Sequence, residues 1–310
     1  MKKLFMMRRG SGVALGLVLS LSSTGCVGMT VGMTAPVVKI ASGAFNRESD
    51  IDFARDASPG QIKTAEGFLA ADPENRMLLG VVAQGYVEYA FGFLEDELET
   101  LPDDPQHAAQ RDKLAARATG LYDRSLEYAI QLLMQDDKHF RDAFNKDVAS
   151  TDAEAKKLDK DSAPALLFCG LALASAINLN RNDVARVVDL PKAIALIKRA
   201  YALDPKFYNG GAAMTLGTIY SAQGKAMGGD PDAAKKYFEE AIGASGGKYL
   251  LAKVMMARFY AVVIQDRALF EKTLKEVIDT PASVYPDFRL ANELAHRRAK
   301  RYLAHAEDYF

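Results

Sequence analysis

Apolar residues recur at intervals of three and four along most of the chain, and this spacing places them on one face of an α-helix. The clearest segment spans residues 190–203 and is followed by Asp204-Pro205, a pair that stops helices. Its apolar face consists of Ala193, Ile194, Ile197, Ala200 and Tyr201. Residues 231–244 repeat the pattern, with Asp230 predicted as the N-cap and Pro231 at the first helical position.

Nearly everything beyond Pro36 is predicted to be helical. Strand-length runs of β-branched residues are few, and no Asn-Gly or Asp-Gly turn lies between two such runs. The predicted helices span residues 36–46, 48–56, 59–71, 74–100, 106–135, 137–148, 164–180, 190–203, 210–225, 231–244, 247–264, 266–278 and 286–307. The predicted fold class is therefore all-α.

Pairs of these helices form recurring hairpins. We identify four, over residues 59–100, 190–225, 231–264 and 266–307, whereas residues 101–165 do not fit the repeat and are predicted to be an insertion. The first helix of the 190–225 pair ends in Ala-Leu-Asp-Pro, which is typical of tetratricopeptide repeat units, and that of the 59–100 pair ends in Ala-Asp-Pro. The hairpins are divergent tetratricopeptide-like repeats, and stacking them is expected to give a curved, compact superhelical array with a concave binding surface.

The N-terminus has the features of an export signal. Residues 1–25 carry four basic residues and no acid, followed by a short apolar run from Val13 to Leu21. The next residues end in Gly25-Cys26 and resemble the lipobox of bacterial lipoproteins, which predicts lipid attachment at Cys26; the alternative is an ordinary secreted protein. Residues 26–35 are glycine-rich and uncharged and are predicted to be a flexible tether. Residues 36–310 then form a single helical domain.

Composition, charge and the absence of known site motifs argue against several classes of function. The 310 residues are 49% hydrophobic and carry a net charge of −1, so nothing favours nucleic acid as a partner. Besides Cys26 there is one cysteine, Cys169, in an apolar helical run, and we expect a buried structural thiol without a disulfide. The four histidines show no metal-ligand spacing, and no phosphate-binding glycine loop or nucleophile motif occurs. We predict no metal, no cofactor and no enzymatic activity.

The helix predicted over residues 74–100 is the most unusual one. Its three interior glycines each cost about 1 kcal/mol relative to alanine, so close packing or a cavity must compensate. One stripe along it is formed by Leu78, Val82, Tyr86, Tyr89 and Phe93, and a second by Val81, Glu88, Gly92 and Glu95. We predict a ligand-binding site at Tyr86, Tyr89, Phe93 and Glu88. The alternative is that the first stripe is ordinary core and the second a solvated face.

Two charged runs are predicted to be exposed. Glu95, Asp96, Glu97 and Glu99 cluster at a helix C-terminal end, where acids are slightly unfavourable. The basic run from His296 to Arg301 in the last helix is predicted to be a solvated face; a contact with an acidic partner or with lipid headgroups is the alternative.

The order of several segments resembles one family. A lipoprotein-like signal comes first, followed by LLGVVAQGYVEYAFGFLED, AARATGLYDRSLEYAIQLL, CGLALASAI, MGGDPDAAKKYFEEAI and YLLAKVMMARFYAVVIQDRALFEKTLKEVID. Over about residues 36–310 these segments are similar to the T component of TRAP transporters, a family of tetratricopeptide-repeat lipoproteins. One departure concerns the middle helix, where the family often carries Trp and this chain has Phe168-Cys169-Gly170.

The resemblance implies a function. A T component is a periplasmic lipoprotein, here expected on the inner leaflet of the outer membrane, that associates with the solute-binding subunit of a tripartite ATP-independent periplasmic transporter. It further implies a homotrimer and a cavity in each protomer for a small hydrophobic or organic-acid ligand. The alternative is a repeat lipoprotein that acts as a scaffold of an envelope assembly or secretion complex and binds only protein.

Overall fold

The computed structural model describes Val37, residues 40–222 and residues 229–310. Every regular element within these ranges is a helix, so the all-α prediction is confirmed. The predicted signal, the tether and the lipid-attachment residue Cys26 lie outside the described residues. So do residues 223–228, which include Gly228 of the predicted loop before residue 231.

The helix bounds follow the predicted pattern closely. The helices are α1 (Ile51–Ala71), α2 (Arg76–Leu98), α3 (Ala108–Asp136), α4 (Phe140–Lys146), α5 (Val148–Lys157), α6 (Ala163–Leu179), α7 (Val184–Val187), α8 (Leu190–Leu203), α9 (Phe207–Ala222), α10 (Pro231–Ala244), α11 (Leu251–Met255, continuing as a π-helix over Met256–Ala261), α12 (Arg267–Asp279) and α13 (Arg289–Ala304). A helical stretch over residues 40–45 precedes α1. Helix α2 contains a π-helical segment, Ala90–Leu94.

Side-chain caps fix many of the helix starts. At α10 the carboxylate of Asp230 accepts hydrogen bonds from the backbone N–H groups of Asp232 and Ala233, at 3.1 and 3.0 Å, so the predicted N-cap is confirmed. The side chains of Asp50, Asn75, Asp147, Asp183 and Asp266 cap their helices in the same way. The caps satisfy backbone donors that have no partner within the helix.

Three parts of the fold are worth comparing with the prediction. Helix α1 runs without a break through Pro59, where two helices were predicted; the hydroxyl of Ser58 donates to the carbonyl of Ala54 at 2.7 Å in this turn. Helices α5 and α7 were not predicted because neither carries a long apolar face. Residues 101–165, predicted to be an insertion, contain α3, which packs between α2 and α6 in the middle of the array.

The helices stack in order and the array closes on itself. Helices α2, α3, α6, α8, α9 and α10 each pack on the next one, and α13 returns to pack against α1. A backbone hydrogen bond from Leu290 to the carbonyl of Asn46, 3.0 Å long, joins the two ends. Helix α2 and the stretch Lys160–Leu179 are long and apolar enough to cross a membrane, but most of each is buried within the fold.

The buried apolar side chains form two groups. One extends over α1 to α9 and includes Leu290 of α13, and the other runs from α9 to α13. Tyr201, Tyr220 and Tyr237 are partly buried against both groups. The predicted curved and compact repeat array is thus confirmed, with its core following the stack of helices.

Replacing Gly170 by alanine is expected to reduce the free energy of unfolding by about 1 to 3 kcal/mol. An added Cβ would lie 2.6 Å from Cγ1 of Ile197 and 2.9 Å from the backbone oxygen of Ala193, so α6 and α8 would have to separate. The control is Gly120→Ala in α3, where no atom lies within 4 Å and a gain of about 0.5 to 1 kcal/mol is expected. Urea denaturation of both variants measures the difference; equal effects would contradict the close packing at Gly170.

Candidate functional site

A large cavity lies inside the closed array. Its volume is about 1470 Å³, which exceeds the usual range of small-molecule sites, roughly 300 to 1,000 Å³. Helices α1, α2, α6, α9, α11 and α13 all contribute to its wall, so elements from both ends of the chain enclose it. Most lining side chains are apolar, and several are aromatic, including Phe91, Phe168, Phe207, Phe259 and Phe288.

The second stripe of α2 forms part of the cavity wall. Val81, Glu88, Gly92 and Glu95 all line it, whereas Leu78, Val82 and Tyr86 of the first stripe are buried in the core and do not. The second stripe of α2 therefore faces the cavity. Its carboxylates are partly exposed, but the surface that they expose faces the cavity.

The four residues predicted to bind ligand do not all meet there. Glu88, Tyr89 and Phe93 line the cavity, with the Tyr89 and Phe93 ring centroids 5.6 Å apart. Tyr86 points to another side of α2, where its hydroxyl donates to Glu66 at 2.6 Å and its ring stacks on that of Tyr128. Tyr86 is thus placed for packing α2 against α1 and α3, while ligand binding by the other three stays a prediction.

Glu88 is the centre of a polar group in this mainly apolar wall. Its Oε1 atom accepts hydrogen bonds from the Tyr208 hydroxyl and from Nε2 of Gln84, both at 2.7 Å. Burial raises the pKa of the Glu88 carboxyl, and these two hydrogen bonds oppose the rise only in part. Tyr249 also lines the cavity, and its pKa is raised by burial and by the charge of Glu88.

An unusual backbone segment places the Tyr208 side chain. Tyr208, Asn209 and Gly210 have φ values of 52°, 55° and 76°, so three successive residues are left-handed. The conformation costs a non-glycine residue roughly 1 to 2 kcal/mol, and Gly210 is required because an added Cβ would lie 2.9 Å from Cα of Ala241. The Tyr208 ring packs edge-on against Phe168, 5.5 Å between centroids. Backbone strain of this kind is common at binding sites.

Glu95 is a second carboxyl on the cavity wall. It accepts a hydrogen bond from the hydroxyl of Tyr122, and burial raises its pKa from 4.5 to about 7. The neighbouring Glu99 raises it further, whereas the Tyr122 hydrogen bond and the Arg298 charge lower it. Both cavity carboxyls thus favour the neutral, protonated form more than a solvated glutamate does.

The raised pKa of Glu95 predicts a pH-dependent stability. Between pH 4.5 and about 7 the folded protein holds a proton that the unfolded chain has released, so the free energy of unfolding falls as the pH rises. Glu95→Gln, which mimics the protonated acid, is expected to lose this dependence and to gain on the order of 1 to 3 kcal/mol relative to wild type between pH 4 and pH 8. Urea denaturation across this range provides the measurement, and parallel curves for the two proteins would contradict the prediction.

The two charged runs pair with each other. Asp96 is only 4% exposed and lies 2.9 to 3.2 Å from nitrogen atoms of Arg297, Arg298 and Arg301. Arg298 is 1% exposed. The prediction of exposure was wrong for Asp96, Arg298 and Arg301, which provide one another's counter-charges across the fold. Glu97, Glu99 and Lys300 are exposed as predicted. Asp96 and the three arginines form a structural ion-pair cluster between α2 and α13.

The π-helical segment of α2 links this cluster to the cavity. Within it the N–H of Glu95 donates to the carbonyl of Ala90, five residues back, instead of to that of Phe91. The Phe91 carbonyl accepts a hydrogen bond from Nη2 of Arg298 at 2.7 Å, and the guanidinium lies 4.2 Å above the Phe91 ring. A second π-helical segment, Met256–Ala261, also borders the cavity through Phe259. Such segments are frequent at functional sites.

The metal-ligand types and the remaining cysteine add no catalytic centre to the described residues. Among the described residues, no group of three or more His, Cys, Asp or Glu side chains could hold a metal ion. Cys169 is a free, buried thiol, as predicted, and burial raises its pKa. Tyr208 and Tyr249 were missed as cavity residues; Asn209-Gly210-Gly211 was the available signal for Tyr208, since these residue types accept left-handed backbone.

Comparisons with known proteins agree with this architecture. The family model for the TRAP transporter T-component matches residues 47–310, which include helices α1 to α13. The chain is also similar to an uncharacterized protein of Treponema pallidum (strain Nichols), with 24% identity over 267 residues, 86% of this chain and 82% of that protein. The chain therefore belongs to the TRAP transporter T-component family.

Proposed function

We propose that the protein holds a small hydrophobic or organic-acid ligand in the central cavity and docks on the solute-binding subunit of a TRAP transporter. It would do so in the periplasm as a homotrimer, anchored through Cys26 to the inner leaflet of the outer membrane. Family membership supports association with such a transporter and a location in the cell envelope. The family is a transporter component and not an enzyme family, which agrees with a role in binding.

The observation that carries the ligand proposal is the cavity itself. A protein that only organises an assembly needs a filled core, because an unfilled apolar space forfeits packing energy. Here helices from both ends of the chain border a space of about 1470 Å³ that is lined mainly by apolar and aromatic side chains. The scaffold alternative offers no reason for that volume or for polar groups such as Glu88 on its wall.

The mechanism would be mass action. The cavity takes up solute close to the membrane, and docking brings the loaded protein next to the solute-binding subunit, which raises the effective concentration of solute there. Release then depends only on the relative affinities of the two proteins and requires no covalent step.

Docking is tested by capture from the native envelope. The tagged protein is crosslinked mildly in its own cells and purified, and the proteins that accompany it are identified by mass spectrometry. Recovery of a periplasmic solute-binding subunit is expected. If only components of outer-membrane assembly or secretion are recovered, the scaffold alternative is correct. Light scattering on the purified protein checks the trimer.

Ligand binding is tested by filling the cavity. Val81 is partly exposed to the cavity on the same stripe as Glu88, so Val81→Trp would occupy part of the volume. Native mass spectrometry is expected to detect a ligand retained by the wild type and lost from this variant. The control is Val184→Trp, at a side chain that is 75% exposed outside the cavity wall. Equal retention by both variants would contradict the proposal.

A further inference from the structure

The polar group around Glu88 has two atoms that remain available to a ligand. Its Oε1 atom already accepts from Tyr208 and Gln84. Its Oε2 atom and the Tyr249 hydroxyl have no hydrogen-bond partner among the residues that the structure describes, and neither atom is sealed from the cavity. A few polar atoms in a mainly apolar wall are typical of the groups that orient a ligand. A molecule in the cavity can supply both partners.

The charges around this position are unfavourable for an anion. The groups facing Glu88 are Tyr208 from α9, Tyr249 from the segment before α11 and Gln84 from α2, and none of them is a cation, although the charge of Arg298 acts on Tyr249. Arg298 also lines the cavity, but its guanidinium is held by Asp96 and by the Phe91 carbonyl. A carboxylate placed beside Glu88 would lose its hydration without gaining a counter-ion.

The cations elsewhere in the cavity wall already have hydrogen-bond partners. Arg76 makes two hydrogen bonds to the carboxylate of Asp136, at 2.6 and 2.8 Å, and is half exposed. Arg181 is exposed and bonded to the side-chain oxygen of Asn178. Neither contacts the Glu88 group, so no cation is available where the polar atoms of the inner wall converge.

The geometry is fixed before any ligand arrives. The left-handed segment at Tyr208, held by Gly210 against α10 and by Phe168 from α6, fixes the Tyr208 hydroxyl on Glu88 Oε1. Oε2 is therefore the carboxyl oxygen left for a ligand, and it carries the proton when Glu88 is neutral. A preformed pair of hydroxyl-type groups binds without a further ordering cost.

We propose that Glu88 and Tyr249, with Glu88 oriented by Tyr208, bind the uncharged oxygen-bearing head group of a ligand, a hydroxyl or an ester carbonyl, whose apolar chain fills the cavity. The same site disfavours a carboxylate. This inference rests on the proposed binding of a hydrophobic ligand in the cavity, and it selects a neutral amphiphile over an organic anion.

The test is a series of compounds with the same chain and different head groups. Dodecane, 1-dodecanol, methyl dodecanoate and dodecanoate compete at pH 8, where the last is ionised, for Nile red bound to the full-length protein. We expect 1-dodecanol and methyl dodecanoate to displace the dye at concentrations about tenfold lower than dodecanoate does. This factor corresponds to one buried hydrogen bond.

Three variants assign the preference to Glu88. Glu88→Gln keeps a neutral polar group and is expected to retain the preference, whereas Glu88→Leu is expected to bring 1-dodecanol to the level of dodecane. Tyr86→Phe is the control, because it removes a tyrosine hydroxyl from the same helix that does not line the cavity. An unchanged preference in Glu88→Leu would overturn the assignment.

The outcomes separate this inference from the proposed function. Displacement by dodecanoate at the same or a lower concentration than 1-dodecanol would overturn the neutral head group and leave the hydrophobic cavity intact. If none of the four compounds displaces the dye, both the inference and the ligand-holding function fail.

Discussion

Asp96→Ala is expected to lower the free energy of unfolding by about 3 to 5 kcal/mol. Asp96 provides carboxylate oxygens to three arginines, and one of them, Arg298, is almost completely buried. Removing the carboxylate leaves that guanidinium in a low-dielectric interior without its nearest counter-ion. The free-energy cost of this unpaired buried charge exceeds the net contribution of the ion pair to stability. Urea denaturation at neutral pH measures the change.

An exposed ion pair is the matched control for Asp96. Arg47 and Asp287 lie 2.8 Å apart, with side chains 65% and 63% exposed, and also join the two ends of the chain. Asp287→Ala is expected to cost less than about 1 kcal/mol, because water screens the pair. Similar losses for the two variants would mean that the Asp96 cluster is solvated in solution.

Cys26→Ala is expected to move the protein from the membrane fraction to the soluble periplasm. Stable anchoring requires more than one acyl chain, and a lipidated N-terminal cysteine would supply these chains. Nothing in the lipobox-like sequence other than Cys26 offers a thiol. Fractionation with an alkaline wash followed by immunoblotting measures the distribution, and the expected loss from the membrane is nearly complete.

The second cysteine is the control for the anchor. Cys169 is buried in α6 and is inaccessible to a lipid-transfer enzyme, so Cys169→Ala should remain in the membrane fraction. Retention of Cys26→Ala in the membranes would contradict lipid attachment at this residue.

The sequence alone predicted the helices that are defined by features within a few residues of their ends. Helices α8 and α10 were predicted with the observed bounds, since each has one apolar face and a stop or start signal within a few residues. The prediction at Pro59 was wrong because it also used only a local signal. Proline usually ends a helix, but tertiary packing keeps α1 continuous through Pro59.

The cavity could not be predicted because distant elements create it. Periodicity identified the stripe with Glu88 and Glu95, but polar residues on a helix look the same whether they face bulk water or an internal space. Only the return of α13 to α1 and α2 encloses that face. The prediction that Asp96 and Arg298 are exposed failed for a similar reason. The two residues are 202 positions apart, and each resembles a surface residue when its own helix is considered alone.

The bond between Asp96 and Arg298 also affects how the chain folds. A solenoid of hairpins ordinarily gains stability one repeat at a time, as each unit stacks on a finished neighbour. Closing a 202-residue loop costs roughly 5 kcal/mol of chain entropy. This cost is offset only when α13 packs against α2. Until then Asp96 has no buried partner and the cavity has no wall on that side. The repeats are therefore expected to melt together in one cooperative transition, and a chain truncated before α13 cannot complete the fold.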